Sequence, residues 1–234
     1  MRRKEDAVLG VEGMKELHVV EGSCVDIEFL ILGFLENNVY IISDGRAVIV
    51  VDPSCKPEAI LAALGERKLD AIILTHHHFD HIGAAAALRE ATGAKVFASA
   101  DDAPAIEDEA LVKNDFRKVR ACPVDVKLAS GEVLEIGGMK WEIIGTPGHT
   151  PGSICLFLAP EFGRYPDAAP VLIAGDTLFH SSIGRTDFEG GSMAEMRRSL
   201  RRLALLQDET IVLPGHNILT SIEAERIRVF ELYA

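Results

Sequence analysis

The sequence contains no closely spaced pair of cysteines. Its four, Cys24, Cys55, Cys122 and Cys155, lie far apart in 234 residues, which argues against a disulfide framework and for free thiols in a reducing compartment. It is also short of positive charge. Twenty-four Lys and Arg stand against 36 Asp and Glu, a net charge of −12, so a nucleic-acid backbone is excluded as the main partner. The longest basic cluster, Arg197-Arg198 with Arg201-Arg202, has helical spacing and reads as a solvated helix face. No apolar run approaches a membrane span, and the charged start Met1-Arg2-Arg3-Lys4-Glu5-Asp6 is not followed by an apolar core. Neither a membrane partner nor a signal peptide is expected, and the location expected is cytoplasmic. No low-complexity linker divides the chain, so residues 1–234 are expected to form one domain, with residues 1–14 a loose polar extension. Nothing in the sequence fixes an oligomeric state.

What is present is a 48% hydrophobic chain dominated by short β-type runs. The first half reads as strands over Leu17–Val20, Val25–Leu32, Asn38–Ser43, Ala47–Val51, Leu69–Thr75 and Lys95–Ala98. Helices are expected over Pro57–Gly65 and Asp80–Thr92, with a helical acidic stretch over about Asp101–Val112. The second half repeats the style, with strands over Val124–Leu128, Val133–Ile136, Met139–Gly145, Ser153–Leu158, Val171–Ala174 and Thr210–Leu213. A helix is expected over Met193–Leu206 and a last one from about Ser221. Arg164–Pro170 reads as a surface loop. Strands in the majority, with helices set singly after strand pairs, predict an α/β (α+β) fold of two face-to-face sheets with helices outside.

One segment concentrates the chemistry. Thr75-His76-His77-His78-Phe79-Asp80-His81-Ile82-Gly83 directly follows the apolar run Ala71-Ile72-Ile73-Leu74. Imidazole and carboxylate suit zinc, iron and manganese, and a strand end opening into a helix can aim several ligands at one place. Alternation along an extended chain puts His76 and His78 on one side and His77 on the other, so His77 is not expected to be a ligand. Three later segments share this arrangement of apolar strand, Gly or Pro, then ligand type. They are Gly145-Thr146-Pro147-Gly148-His149, Ala174-Gly175-Asp176-Thr177 and Leu213-Pro214-Gly215-His216. Each alone is a turn or a helix cap; the four together predict a metal centre.

These motifs, in this order and with these separations, resemble the metallo-β-lactamase superfamily over nearly the whole chain, from about Asn38 and Tyr40 to His216. The resemblance implies a four-layer αββα sandwich with a two-metal site at the sheet edges. By that resemblance His76, His78 and His149 hold the first metal, Asp80, His81 and His216 the second, and Asp176 bridges both. Two dications about 3.5–4 Å apart share a water and lower its pKa to about 7, giving hydroxide at neutral pH. Asp80 would orient that nucleophile, and Asp80 with Asp176 are the expected catalytic residues. Two divalent ions, with zinc first and iron or manganese as alternatives, are the expected cofactors, and a small molecule the expected substrate.

Gly184-Arg185-Thr186-Asp187-Phe188 narrows the resemblance to glyoxalase II-like hydrolases and persulfide dioxygenases. The first implies cleavage of an S-hydroxyacylglutathione-like thioester, or a related ester, by metal-bound hydroxide. The second implies a mononuclear iron dioxygenase using His76, His149 and Asp176, with His81 outside the ligand set. A lactonase-like hydrolase of the same fold is a further alternative. Full glyoxalase II enzymes carry a C-terminal helical domain with basic residues that grip glutathione, and the few residues after His216 leave no room for it. Arg185 is therefore the expected anion partner of the substrate, unless it pairs with Asp187. Ser54-Cys55 replaces the Gly often found after the Val-Asp-Pro turn; Cys55 is expected either near the site or, more commonly for such a thiol, simply buried.

Overall fold

The computed structural model describes residues 16–110 and 119–234. The first sheet is β1 (His18–Val20), β2 (Asp26–Leu32), β3 (Asn37–Ser43), β4 (Val48–Val51), β5 (Ala71–Ile73), β6 (Lys95–Ser99) and β7 (Val126–Leu128), side by side in chain order. β1 to β4 pair antiparallel. β4 to β7 pair parallel, and parallel pairs need crossovers. Those crossovers carry α1 (Pro57–Leu64), α2 (Phe79–Ile82), α3 (Ala85–Thr92) and α4 (Ala103–Glu107).

The second half lays down β8 (Val133–Ile136), β9 (Met139–Gly145), β10 (Ile154–Leu158) and β11 (Val171–Gly175), then a separate hairpin of β12 (Leu178–Phe179) and β13 (Ser182–Ile183). α5 (Met193–Leu203), β14 (Ile211–Pro214) and β15 (Thr220–Ser221) follow. α6 (Ile222–Glu225), a π-helical turn (Arg226–Phe230) and α7 (Glu231–Tyr233) end the chain. The sheet order is β15-β14-β11-β10-β9-β8, with β11 and β14 parallel.

Period-2 alternation explains how the layers stack. On β3 and β4, Tyr40, Ile42, Ile49 and Val51 face the second sheet and meet Met139, Trp141, Ile143 and Leu156. The alternate residues Val39, Ile41, Val48 and Val50 face Ile60 and Leu64 of α1 and Leu88 of α3. Beneath the second sheet, Leu172, Ala174 and Val212 meet Met196, Leu200 and Leu203 of α5. The result is the four-layer αββα sandwich, and each fully buried aliphatic in it contributes roughly 1.5–3 kcal/mol. Arg197, Arg198, Arg201 and Arg202 lie on the exposed face of α5, as their spacing predicts. That helix is capped by Ser192, whose hydroxyl accepts the Glu195 N–H at 3.3 Å.

Two expectations need correction. The helix predicted over Asp80–Thr92 is broken at Gly83-Ala84. The Ala84 N–H bonds Pro53 O at 2.8 Å, and a Cβ on Gly83 would sit 2.2 Å from Ser54 O, so the chain bends to pack on the turn after β4. The helix predicted over Asp101–Val112 stops at Glu107. The Ile106 carbonyl is taken by the Cys122 N–H at 3.0 Å, and the Ala110 N–H turns to Asp108 Oδ1 at 2.7 Å. Leu111, Val112 and the extension expected over residues 1–14 lie outside the described residues. The four cysteines are free. No helix among the described residues is long and apolar enough to cross a membrane.

Candidate metal centre

Four strand ends converge on one edge of the sandwich. β5 runs out into Thr75 and His76; the β9–β10 connection carries His149; β11 ends at Gly175 before Asp176; β14 ends at Pro214 before Gly215 and His216. The sheets are joined here by backbone, since the Ile154 N–H donates to Thr75 O at 3.0 Å and the Asn38 N–H to Gly215 O at 2.8 Å. Close packing dictates the glycine of the last turn. A Cβ on Gly215 would lie 2.4 Å from Asp176 Oδ1 and 2.6 Å from His81 Cε1.

His76, His78 and His149 form the first group, with one ring nitrogen of each within 4.8 Å of the others. His76 Nδ1 lies 3.0 Å from Thr75 Oγ1, whose own proton goes to Asp52 Oδ2 at 2.7 Å. That places the ring proton on Nδ1 and leaves His76 Nε2 a bare lone pair, buried with no hydrogen-bond partner. His149 Nδ1 donates to Arg185 O at 2.7 Å, which turns its Nε2 toward His78 Nδ1 at 2.8 Å. Burial, reinforced by neighbouring imidazoles, holds His76 well below its usual range and His78 down to about 3. Burial also lowers His149, against the pull of Asp176. Three converging imidazoles that burial keeps neutral, His78 Nδ1 giving up its proton to a metal, are a donor set suited to a divalent cation.

Asp80, His81 and His216 form the second group. His216 Nε2 lies 3.3 Å from Asp80 Oδ2, and His81 Nε2 lies 3.6 Å from the same oxygen. Asp176 stands between the groups, with Oδ1 3.3 Å from His81 Nε2 and Oδ2 3.4 Å from His149 Nε2 and 3.5 Å from His216 Nε2. The electrostatics invert here. Burial opposes charge on His81, yet Asp176, Asp52 and Asp80 push it well above its usual range. Burial likewise opposes charge on His216, and Asp176 and Asp80 still raise it to about 9. Both carboxyls are held low in turn, since His81 and His216 outweigh the burial that would raise them. The carboxylates of Asp80 and Asp176 thus gather around His81 and His216 the negative charge that suits a dication.

Every residue expected to ligate is thus in the cluster, and His77 is not. The His77 ring lies 2.9 Å from Asp102 Oδ2 and lines the cavity in front of the cluster without joining either ligand group. Three supporting residues escaped sequence reasoning. Asp52 accepts the Thr75 N–H at 2.8 Å and faces His81 Nδ1 at 2.9 Å; its position closing the Val-Asp-Pro turn was the available signal. Asn37 Nδ2 donates to Asp80 Oδ2 at 3.0 Å. Asp102 accepts the backbone N–H of His77 at 2.9 Å, the Thr150 hydroxyl at 2.8 Å and the Gly152 N–H at 2.8 Å. Nothing local to Asp102 marks it.

Arg185 is an exposed residue whose guanidinium pairs with Asp187 through Nε at 2.9 Å and Nη2 at 2.8 Å and lies 4.1 Å over the Phe188 ring. Cys55 is half-buried and lines a narrow cleft with Asn37, Phe79 and Asp80. In front of the cluster opens a cavity of about 630 Å³ whose lining includes His78, Asp80, His149, Asp176 and His216. A larger cavity of about 1000 Å³ lies among Val19, Arg46 and Arg164 and touches none of these residues.

The profile of the metallo-beta-lactamase superfamily matches residues 32–216. A hydroxyacylglutathione hydrolase of Pseudomonas aeruginosa (strain LESB58) is 39% identical over 187 residues, which are 78% of this chain and 62% of that protein; the chain therefore spans less than two thirds of that relative. Among solved structures, the BLEG-1 B3 metallo-beta-lactamase superposes with a TM-score of 0.77 at 34% identity, covering 87% of this chain and 98% of that one. TTHA1623 in a di-iron-bound form gives 0.72 at 32%, covering 86% and 97%. By motif order, fold and residue-level similarity, this chain belongs to the metallo-beta-lactamase superfamily.

Proposed function

We propose that the protein, acting as one cytoplasmic domain, is a metal-dependent hydrolase. It would cleave a thioester of the S-hydroxyacylglutathione type or a related ester. The observation that carries this reading is the completeness of the second group. Asp80, His81 and His216 meet at one point, with Asp176 shared between them and His149. A mononuclear dioxygenase would use only His76, His149 and Asp176; such enzymes can keep the residue types of the second group, so the number of metals bound separates the two readings. The hydroxyacylglutathione hydrolase relative supports the same choice.

His76, His78 and His149 would hold one ion, Asp80, His81 and His216 the other, and Asp176 would bridge them. Zinc is the first candidate, and the di-iron form of TTHA1623 keeps iron in view. When bound, such a pair supplies a water of lowered pKa and an electrophile for the carbonyl oxygen. The chain's own groups do the positioning. Asn37 and His216 fix the Asp80 carboxylate, which would hold a water supplied by the metals in line with a substrate carbonyl. A thiolate leaves with little need for proton donation.

The deciding experiment pairs metal analysis with Asp176→Ala. Two metals per chain, and thioester cleavage that vanishes in the variant, are the expected results. One iron per chain with O₂ consumed on glutathione persulfide would overturn the hydrolase reading.

A further inference from the structure

The walls of the catalytic cavity differ in kind from its floor. The floor is the ligand cluster; the walls carry Leu35, Phe79, Phe179, Ile183 and Phe188, interrupted by the polar side chains of His77, Ser182 and Asn217. Two of these rings stand edge-on to the two ligand groups. Phe188 lies 5.5 Å from the His78 ring at 83°, and Phe179 lies 6.0 Å from the His216 ring at 87°. A carbonyl held over the cluster must send one of its substituents along these apolar walls. Phe188 and Leu35 are each 42% exposed, so they retain apolar surface for a ligand to cover.

The charges at the rim point the same way. Among the described residues, Arg185 is the one guanidinium or ammonium group lining this cavity, and two of its N–H groups are engaged by Asp187. Glu189 lines the same rim. With Arg185 tied to Asp187, the described residues lining this cavity offer a glutathione carboxylate no unpaired guanidinium or ammonium group.

We propose that the site selects its substrate by an apolar acyl chain running along Phe79, Phe179, Ile183 and Phe188, and takes neutral thiol or alcohol leaving groups at least as well as glutathione. The proposal rests on the hydrolase reading and assigns its substrate class: medium-chain acyl thioesters and esters. A buried methylene contributes about fourfold to binding, so the acyl series is a direct readout.

The test uses the full chain loaded with zinc and, separately, with iron. The probes are acetyl, butanoyl and hexanoyl thioesters of N-acetylcysteamine and of glutathione, with D-lactoylglutathione alongside. The expected result is a kcat/KM rising about fourfold per methylene, with no preference for glutathione. Phe188→Ala and Ile183→Ala should flatten that slope. A flat acyl profile, or a tenfold preference for glutathione thioesters at equal acyl length, overturns the specificity while leaving metal-dependent hydrolysis standing. Absence of turnover on every thioester overturns the hydrolase reading and this proposal with it.

Discussion

Asp102 Oδ2 accepts the Thr150 hydroxyl at 2.8 Å, so a residue following β6 grips the loop that carries His149. The same oxygen accepts the His77 N–H at 2.9 Å, between His76 and His78. One buried carboxylate therefore spans the two segments that supply the three-imidazole group, and the 2.8 Å approach of His78 to His149 depends on it.

Asp102→Asn should accordingly lower metal affinity of that group by about 10- to 100-fold, leaving the group around His216 intact. Metal stoichiometry under competing chelator checks it. Asp102 also predicts an acid limb of stability. Burial works against its charge, but bonds from His77 and Thr150 hold its pKa below the usual value. The stabilisation is present above the unfolded carboxylate value of about 3.9 and is lost as pH falls through the lower folded one. Asp102→Asn should flatten this limb in acid unfolding curves.

Loading of the second group should release protons. His216 is raised to about 9 and His81 well above its usual range, so both are protonated at about pH 7 and must be neutral to ligate. Zinc affinity of this group should rise as pH increases towards about 9. Proton release measured in weakly buffered solution should shrink once His216 is already neutral. The first group, with His78 at about 3, should release none over the same interval.

Gly215→Ala should damage the site more than the fold. The added methyl falls between Asp176 Oδ1 and His81 Cε1, at 2.4 and 2.6 Å, and must push one away. We expect activity to drop by at least about 10²-fold and bound metal to fall below two per chain. A cooperative melt should persist, because the core side chains beside this turn, Leu213 and Tyr40, are left unchanged.

Arg185→Ala should leave the melting temperature within about 1 °C of the parent, since exposed ion pairs contribute little. If an apolar chain governs recognition, KM for hexanoyl thioesters should also change by less than about threefold. A large rise in KM confined to glutathione thioesters would instead make Arg185 an anion anchor.

The ligands were legible because they sit in short strings at strand ends, where a polar residue after an apolar run has few structural excuses. The layers were legible for a similar reason: β9 alternates buried Met139, Trp141 and Ile143 with exposed Lys140 and Glu142, while β3 and β4 are short β-type runs buried on both faces. Asp102 and Asn37 were not legible, because a single carboxylate or amide carries no pattern and acts only through residues distant in sequence. The break at Gly83 was hidden as well. Its cause is the Ser54 carbonyl across the fold, and a lone glycine in a helical pattern looks tolerable. The hairpin of β12 and β13, with two residues per strand, is too short for periodicity to register.

The tie between Asn38 and Gly215 has a consequence for biogenesis. The amide lies in the first sheet to be synthesised and its acceptor beside the last ligand, so the complete centre closes only after both sheets have docked. Contacts of such sequence separation form late. A chain still emerging from the ribosome holds His76, His78, Asp80 and His81 in a fragment lacking Asp176 and His216, with neither ligand group complete. Tight metal capture then becomes a certificate of finished folding, and metal supplied afterwards stabilises only chains that have reached the native state.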